Sequence, residues 1–174
     1  MNNRKTTKPV NVGNIKIGGG ARISIQSMCN TGTDDIEKTI EQINSLKNAG
    51  CDIVRPAVPD FSAATAFAQI RKKTDISLVA DIHFDYRLAL ACVDAGADKI
   101  RINPGNIGGK DNVRQVAEAC RARKIPIRIG VNMGSVDSEI ERKFGRTPLA
   151  MVESAFYHIG LLNNCDFDDI IISL

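Results

Sequence analysis

Apolar residues in this chain come in short runs, and four of these runs end with polar side chains at every second position. The polar residues in question, in chain order, are Arg55, Asp81 with His83, Arg101 with Asn103, and Arg128 with Asn132. Successive side chains of a β-strand point to opposite faces, so each polar pair shares one face and the apolar residues share the other. The pattern predicts strands with one face packed on helices and one face that carries chemistry.

Segments with the apolar spacing of helices separate these strands. They begin near Thr33, Ser62, Tyr86, Asp111 and Pro148. Repeated strand and helix units favour a parallel sheet with right-handed crossovers. We predict an α/β fold, a partial TIM (β/α)8 barrel of about six parallel strands and five helices. The alternative is an open doubly wound sheet, and the absence of Gly-x-Gly-x-x-Gly after the first strand argues against it.

The first part of the chain differs from the rest. Two extended segments, Val10 to Ile17 and Ala21 to Cys29, flank three glycines at 18–20, a composition typical of a hairpin turn or a tight loop. We therefore expect residues 1–22 to form an N-terminal extension with a β-hairpin and residues 23–174 to form an incomplete TIM-barrel substrate-binding domain. A closed barrel needs eight strands and typically ~250 residues, so we expect the first part of a larger enzyme.

Composition excludes several classes of function. The chain has 174 residues, of which 43% are hydrophobic and 25% charged, and its net charge is +3. The basic residues are mixed with twenty acids, which argues against a nucleic-acid partner. No run reaches the ~18 apolar residues that cross a bilayer, so we predict no membrane contact and a cytoplasmic location.

The five cysteines give no sign of a metal centre. They are dispersed along the sequence and never form a Cys-x-x-Cys motif. This spacing argues against a disulfide framework or a zinc site, and we expect small buried hydrophobic residues in a reducing compartment. We predict no metal ligand within this chain.

The three arginines near the strand ends suggest an anion site. If the strands curl around one axis, Arg55, Arg101 and Arg128 converge on one mouth, and guanidinium forks suit the oxygens of a diphosphate. Asn103 and Asn132 can add amide donors to the same ligand. The alternative for each arginine is an ion pair with a neighbouring carboxylate. The glycine-containing loop 104–109 opens a helix and can present backbone N–H groups to an anion.

A carboxylate and an imidazole accompany the arginines. Asp81 and His83 share a face and are the candidate catalytic residues, able to position substrate hydroxyls or move a proton. Asp81 can instead hold His83 or cap the next helix. His158 lies among apolar residues of the last helix, where we expect a structural role. Neither candidate supplies an electron, so redox chemistry needs another source.

Several strings resemble one enzyme family. The most specific are Leu78 to Arg87 (LVADIHFDYR) and Arg101 to Gly108 (RINPGNIG), joined by Ile125 to Asn132 (IPIRIGVN) and Asp52 to Arg55 (DIVR). They resemble the 4-hydroxy-3-methylbut-2-en-1-yl diphosphate synthases, also called GcpE proteins. The resemblance extends from about residue 9 to the end of the chain.

The resemblance implies reductive ring opening of 2-C-methyl-D-erythritol 2,4-cyclodiphosphate in the non-mevalonate isoprenoid pathway. It also implies a [4Fe-4S] cluster on a C-terminal domain, ferredoxin or flavodoxin as the electron donor, and a homodimer in the full-length form. Carried over by position, the diphosphate ligands are Arg55, Arg101, Asn103, Arg128 and Asn132, with Asp81 and His83 lining the same pocket.

Two departures from the family pattern matter. Pro56 follows Arg55 where the family has a small or branched residue, and proline is expected to strain a central strand. The sequence stops at Leu174, before the family's cluster ligands and C-terminal iron–sulfur domain. Two alternatives therefore stay open: an inactive half-barrel that only binds anions, and a dihydropteroate-synthase-like barrel.

Overall fold

The computed structural model describes residues 5–174, and strands alternate with helices along most of that length. The strands are β1 Val10–Val12, β2 Ile15–Ile17, β3 Gln26–Met28, β4 Ile53–Arg55, β5 Ser77–Asp81, β6 Lys99–Ile102, β7 Ile127–Gly130 and β8 Ile170–Ser173. The helices are α1 Ile36–Asn48, α2 Phe61–Lys73, α3 Tyr86–Asp94, α4 Lys110–Ala122, α5 Ser138–Phe144 and α6 Pro148–Asn163.

The six strands β3 to β8 form one parallel sheet in chain order, curled as half of a barrel. Every neighbouring pair is parallel, as repeated strand and helix units require. The predicted α/β half-barrel is thereby confirmed. The first strand of this sheet is shorter than predicted, because β3 begins only at Gln26. Ile23 and Ile25 lie before it and are exposed.

One helix of the described chain was missed. The sequence predicted five helices, and the charged segment after β7 contains a further short one, α5. Asp137 caps this helix by accepting a hydrogen bond from the Glu139 amide. Acidic residues in its first turn and basic residues in its last turn also suit the helix dipole. The N-cap and the distribution of charges indicate α5, because a helix of 7 residues is too short to show an apolar period.

Helices cover the convex face of the sheet, and the main core lies between the two layers. Outward-facing strand residues such as Leu78, Ile100 and Ile129 are fully buried there against helix residues such as Phe67 and Val116. Within residues 5–174, none of the helices combines the length and apolar character that crossing a membrane requires.

The predicted N-terminal hairpin is present, but its turn lies elsewhere. Strands β1 and β2 pair antiparallel around Gly13, which has a φ of +55°, while the three glycines at 18–20 follow the hairpin. The left-handed conformation at position 13 explains why glycine serves as the turn residue. Val12 of the hairpin packs fully buried against Ile53 and Val79. The hairpin therefore covers the amino end of the half-barrel.

Pro56 does not interrupt a strand. Strand β4 ends at Arg55, so the proline lies just beyond it, and its carbonyl accepts a hydrogen bond from the Asp81 amide at 3.1 Å. The expected strain on a central strand was therefore wrong, because position 56 is not required to donate to the ladder.

Candidate anion-binding site

Asp81 is the centre of the polar cluster at the carboxyl end of the sheet. It is the last residue of β5 and is only 2% exposed. Arg101 Nη1 donates to its Oδ1 at 3.1 Å, and Arg55 Nε forms an ion pair with its Oδ2 at 3.4 Å. His83 Nε2 lies 3.9 Å from Oδ1, with its side chain 43% exposed at the rim. One carboxylate therefore holds two of the predicted arginines.

Strand register explains why these residues meet. Asp81 pairs with Arg101 across β5 and β6, and Arg101 pairs with Arg128 across β6 and β7. Paired residues on parallel strands lie side by side, so three charged groups occupy one level of the half-barrel. Gly130 leaves space for the Arg101 side chain, because a Cβ at position 130 would lie only 2.5 Å from Arg101 Nε. The Arg101 guanidinium thus lies directly against the backbone of β7.

Arg128 differs from the other two arginines. Its Nη2 donates to Ser173 Oγ at 2.5 Å, and its buried Nε has no hydrogen-bond partner within the described part of the chain. No carboxylate of residues 5–174 forms an ion pair with it. Burial, followed by the charges of Arg55 and Arg101, lowers the pKa of Arg128 below its usual value. An arginine stays charged in proteins even so, which leaves its fork available to an anion.

Charge balance at the cluster favours an anionic ligand. Three guanidinium groups lie around one carboxylate, that of Asp81. The alternative that each arginine pairs with a carboxylate of its own was wrong, because Arg55 and Arg101 share Asp81. Buried charges require partners of opposite sign, and their attraction is strong where water is excluded. A doubly charged anion would neutralise the excess positive charge of the cluster.

Two further side chains of this face were missed from the sequence. Lys99 is 1% exposed, and its Nζ donates to Gln26 Oε1 at 2.9 Å. Burial, with the nearby charges of Arg128 and Arg55, lowers the pKa of Lys99 to about 7. The alternation Lys99, Arg101, Asn103 was the available signal, because residues two apart on a strand share a face.

The two asparagines occupy different environments. Asn103 is 3% exposed, and its Oδ1 accepts from the Gly105 amide at 3.1 Å. Its Nδ2 is a buried donor that no atom of residues 5–174 satisfies. Asn132 is exposed, beyond the end of β7, and its backbone exchanges hydrogen bonds with Ser135. Asn103 is therefore buried directly after β6, whereas Asn132 is exposed two residues beyond the end of β7.

His158 has the buried position that was expected of a structural residue. It is 1% exposed within α6, and neither ring nitrogen has a partner in the described chain. Burial lowers its pKa, which favours the neutral imidazole. Its ring lies beside Gly105, next to the loop that carries Asn103.

The cysteines are not arranged around a common point. Cys29, Cys92 and Cys120 are buried, and Cys51 and Cys165 are partly exposed. Burial raises the pKa of the Cys29 thiol to about 11 and the pKa values of Cys92 and Cys120 to about 12, which keeps these thiols protonated. Residues 5–174 contain no group of three histidine, cysteine or acidic side chains that could hold a metal ion.

Comparison with known proteins identifies the family. Residues 7–174 match the GcpE TIM-barrel domain. The chain belongs to the GcpE family. It is 56% identical over 173 residues to a protein from Clostridium perfringens named 4-hydroxy-3-methylbut-2-en-1-yl diphosphate synthase (flavodoxin), a match that covers 99% of this chain and 50% of that protein. The resemblance found in the sequence strings is confirmed.

Other members of the GcpE family give the same result. A protein of the same name from Ruminiclostridium cellulolyticum is 58% identical over 172 residues, covering 98% of this chain and 49% of its own length. A Listeria monocytogenes protein, also of that name, is 57% identical over 172 residues, with 98% and 47% covered. The chain thus spans about half the length of the curated relatives it matches.

Solved structures support the barrel fold. Dihydropteroate synthase from Yersinia pestis superposes with a TM-score of 0.67 at 11% identity, covering 94% of this chain and 61% of that one. The Vibrio fischeri enzyme gives a TM-score of 0.66 at 13% identity, covering 95% and 66%. At such low identity the likeness concerns the fold alone.

Proposed function

We propose that this chain is the diphosphate-binding part of a 4-hydroxy-3-methylbut-2-en-1-yl diphosphate synthase. Its substrate would be 2-C-methyl-D-erythritol 2,4-cyclodiphosphate, opened reductively to 4-hydroxy-3-methylbut-2-enyl diphosphate in non-mevalonate isoprenoid biosynthesis. The observation that carries the proposal is the cluster of Arg55, Arg101 and Arg128 around the single carboxylate of Asp81. Membership of the GcpE family supplies the identity of the anion.

Each arginine has a distinct role in this proposal. Arg128 has no carboxylate partner in the described chain and binds a phosphate group through the guanidinium N–H groups that Ser173 leaves unused. Asp81 orients Arg55 and Arg101, so that their remaining N–H groups face the same ligand before it arrives. Preorganised donors lose little side-chain freedom on binding, which favours affinity.

The polar groups around the arginines complete the proposed pocket. Asn103 offers its unpartnered Nδ2 as a donor, and Asn132 is proposed to reach the ligand from its exposed position after β7. His83, half-exposed at the rim and 3.9 Å from Asp81, is placed to exchange a proton with a substrate hydroxyl. Asp81 and His83 therefore remain the proposed catalytic pair.

A [4Fe-4S] cluster is proposed for the complete reaction on the strength of family membership. The residues described here do not fit it, since the buried cysteines are protonated and dispersed and form no common ligand group. We derive no step through such a cluster. Flavodoxin appears in the names of the relatives and is the proposed electron donor, with ferredoxin as the alternative.

The organisation of the protein is proposed on the same basis. We propose residues 1–22 as an N-terminal extension with a hairpin and residues 23–174 as the incomplete barrel domain. The contact of Val12 with Ile53 and Val79 supports the first assignment. A homodimer in the full-length form and a cytoplasmic location remain proposals from the family.

Calorimetric titration of the chain with 2-C-methyl-D-erythritol 2,4-cyclodiphosphate tests the binding step. We expect Arg101→Met and Arg128→Met each to weaken affinity at least tenfold, which corresponds to about 1.4 kcal/mol. Arg123→Met is the matched control, because Arg123 is a surface residue paired with Asp94. Unchanged affinity in both site variants would remove the arginine cluster from the function.

The second candidate function is that of a half-barrel that binds anions without turnover. The guanidinium cluster favours any dianion, and the described residues lack a cluster site. Competition between the cyclodiphosphate and inorganic pyrophosphate for the chain separates the two. Tighter binding of the cyclodiphosphate supports the synthase, whereas equal affinities support the anion binder. Preference for pterin pyrophosphate would instead favour the dihydropteroate-synthase-like barrel.

A further inference from the structure

Lys99 is a buried cation of the half-barrel interior whose described hydrogen bond is with a neutral amide. It is the first residue of β6 and shares the inner face with Arg101, one layer nearer the amino end. Its Nζ is held by Gln26 Oε1 at 2.9 Å, and the residue is 1% exposed. An amide oxygen can accept a hydrogen bond from either a neutral amine or an ammonium group, so this contact alone does not fix the charge.

The surroundings of Lys99 oppose a positive charge. From β4 and β7 the charges of Arg55 and Arg128 act on it, and Arg101 follows on its own strand. From β5, Asp81 is the nearby carboxylate of the cluster, and it is engaged by Arg55 and Arg101. Beside Lys99 on β5 lies its register partner Val79, a residue of the buried apolar cluster with Val12 and Ile53.

Other acidic groups near this end of the sheet are committed elsewhere. Asp98, next to Lys99 in the chain, accepts from the Leu78 amide at 2.8 Å and pairs with Arg71 at 3.5 Å. Gln26 from β3 is neutral. A buried ammonium group among arginines, without a carboxylate of its own, is strongly disfavoured relative to the free amine.

We propose that Lys99 is a neutral amine in the ligand-free barrel and takes up a proton from solvent when a diphosphate binds at the arginine cluster. The incoming anion neutralises Arg55 and Arg128 and removes the positive potential that disfavours an ammonium group at Lys99. The amine lone pair then accepts a proton, and Lys99 becomes the fourth cation of the site. This inference rests on the proposed anion-binding function and adds proton-coupled binding to it.

The lowered pKa of Lys99, about 7, agrees with this arrangement. At neutral pH a modest change in the electrostatic potential around Lys99 is then enough to change the charge of its amine. Diphosphate binding would consequently become tighter as the pH falls through the neutral range, to the extent that Lys99 contributes.

Nuclear magnetic resonance of the chain with ¹³C-labelled lysine Cε tests the proposal directly. Inorganic pyrophosphate is the probe, without divalent cations, and pH titrations are recorded with and without it. Correlation of Cε with the residue's own amide assigns Lys99 without any variant. Lys99→Met should remove this signal alone, and Lys16→Met, at an exposed position of the hairpin, should leave it unchanged.

We expect the Lys99 signal to titrate near neutral pH in the free chain and its protonation constant to rise at least tenfold with pyrophosphate. An equal midpoint with and without ligand, while the Arg128 side-chain signal shows that pyrophosphate is bound, would overturn the proton uptake and leave the anion site standing. The proton uptake would also be overturned if the Lys99 signal of the ligand-free chain titrated with the midpoint of free lysine. Failure of pyrophosphate to bind would overturn this inference together with the proposed function.

Discussion

The amino and carboxyl ends of the sheet are built from the same strands and carry opposite kinds of side chain. On β4 the inner face changes from Ile53 to Arg55, and on β5 it changes from Val79 to Asp81. Each change takes two residues, or about 6.6 Å along a strand. At the amino end Val12 of the hairpin seals the apolar layer, whereas the carboxyl end stays open and charged. An apolar floor excludes water from beneath the charged layer, which strengthens the interactions above it.

The largest effect is expected at the charged end, from Asp81→Asn. This variant leaves Arg55 and Arg101 without their shared carboxylate, and removing one partner of a buried ion pair costs about 3 kcal/mol or more. Urea denaturation should show that loss, and pyrophosphate should partly restore stability by replacing the missing charge. Asp75→Asn, which breaks the exposed pair with Lys47, should cost under about 1 kcal/mol. Equal losses in the two variants would contradict a special role for Asp81.

At the apolar end, Val12→Ala should destabilise the fold without changing ligand affinity. The fully buried side chain loses two methyl groups against Ile53 and Val79, which costs about 2 kcal/mol. Thermal unfolding measures the first effect, and pyrophosphate titration below the melting temperature measures the second. A large drop in pyrophosphate affinity would show that the two ends are not separable.

Lys99, at the boundary between the two ends, is expected to change its protonation state with pH. Burial lowers the pKa of Lys99 to about 7 from 10.5, so between these values the unfolded chain binds a proton that the folded chain does not. The free energy of unfolding should therefore rise with pH in that window, by up to about 1.4 kcal/mol per pH unit from this group. Lys99→Met removes the contribution.

Urea denaturation between about pH 7 and pH 9 checks this dependence. Wild type should gain stability relative to Lys99→Met as the pH rises, while the exposed-site variant Lys16→Met should follow wild type. Parallel curves for wild type and Lys99→Met would contradict the lowered pKa.

The smallest change in stability is expected from Gly130→Ala, at about 1 kcal/mol. A Cβ at this position would meet Arg101 Nε at 2.5 Å, and the flexible end of that side chain can move away. Pyrophosphate affinity should fall severalfold, because the displaced guanidinium loses its place beside Asp81. Gly160→Ala, where a Cβ meets nothing within 4 Å, is the control. Unchanged pyrophosphate affinity would show that Arg101 does not need its contact with β7.

The sequence predicted the parts of the molecule that depend on strand alternation. Arg55, Asp81, Arg101 and Arg128 were found because they occupy inner positions at strand ends, where a period of two is unambiguous. Lys99 was overlooked because the same alternation was followed only toward the carboxyl end. Its burial follows from the barrel's curvature, which no local pattern encodes.

Other errors arose where local signals competed. Three consecutive glycines at 18–20 are a stronger turn signal than Gly13, yet the hairpin turns at Gly13 because that register buries Val12. Tertiary packing decided the place of the turn. Asn132 was expected to share the face of Arg128; it lies two residues beyond the end of β7, and its part in the site stays a prediction.

A crystal structure of the chain with bound pyrophosphate tests the central claim most directly. The account predicts both phosphate groups at the carboxyl end of the sheet, with the Arg128 guanidinium in contact and Arg55 or Arg101 completing the site. Pyrophosphate bound at any other surface, with the arginine cluster empty at a concentration that saturates the chain in solution, would contradict it.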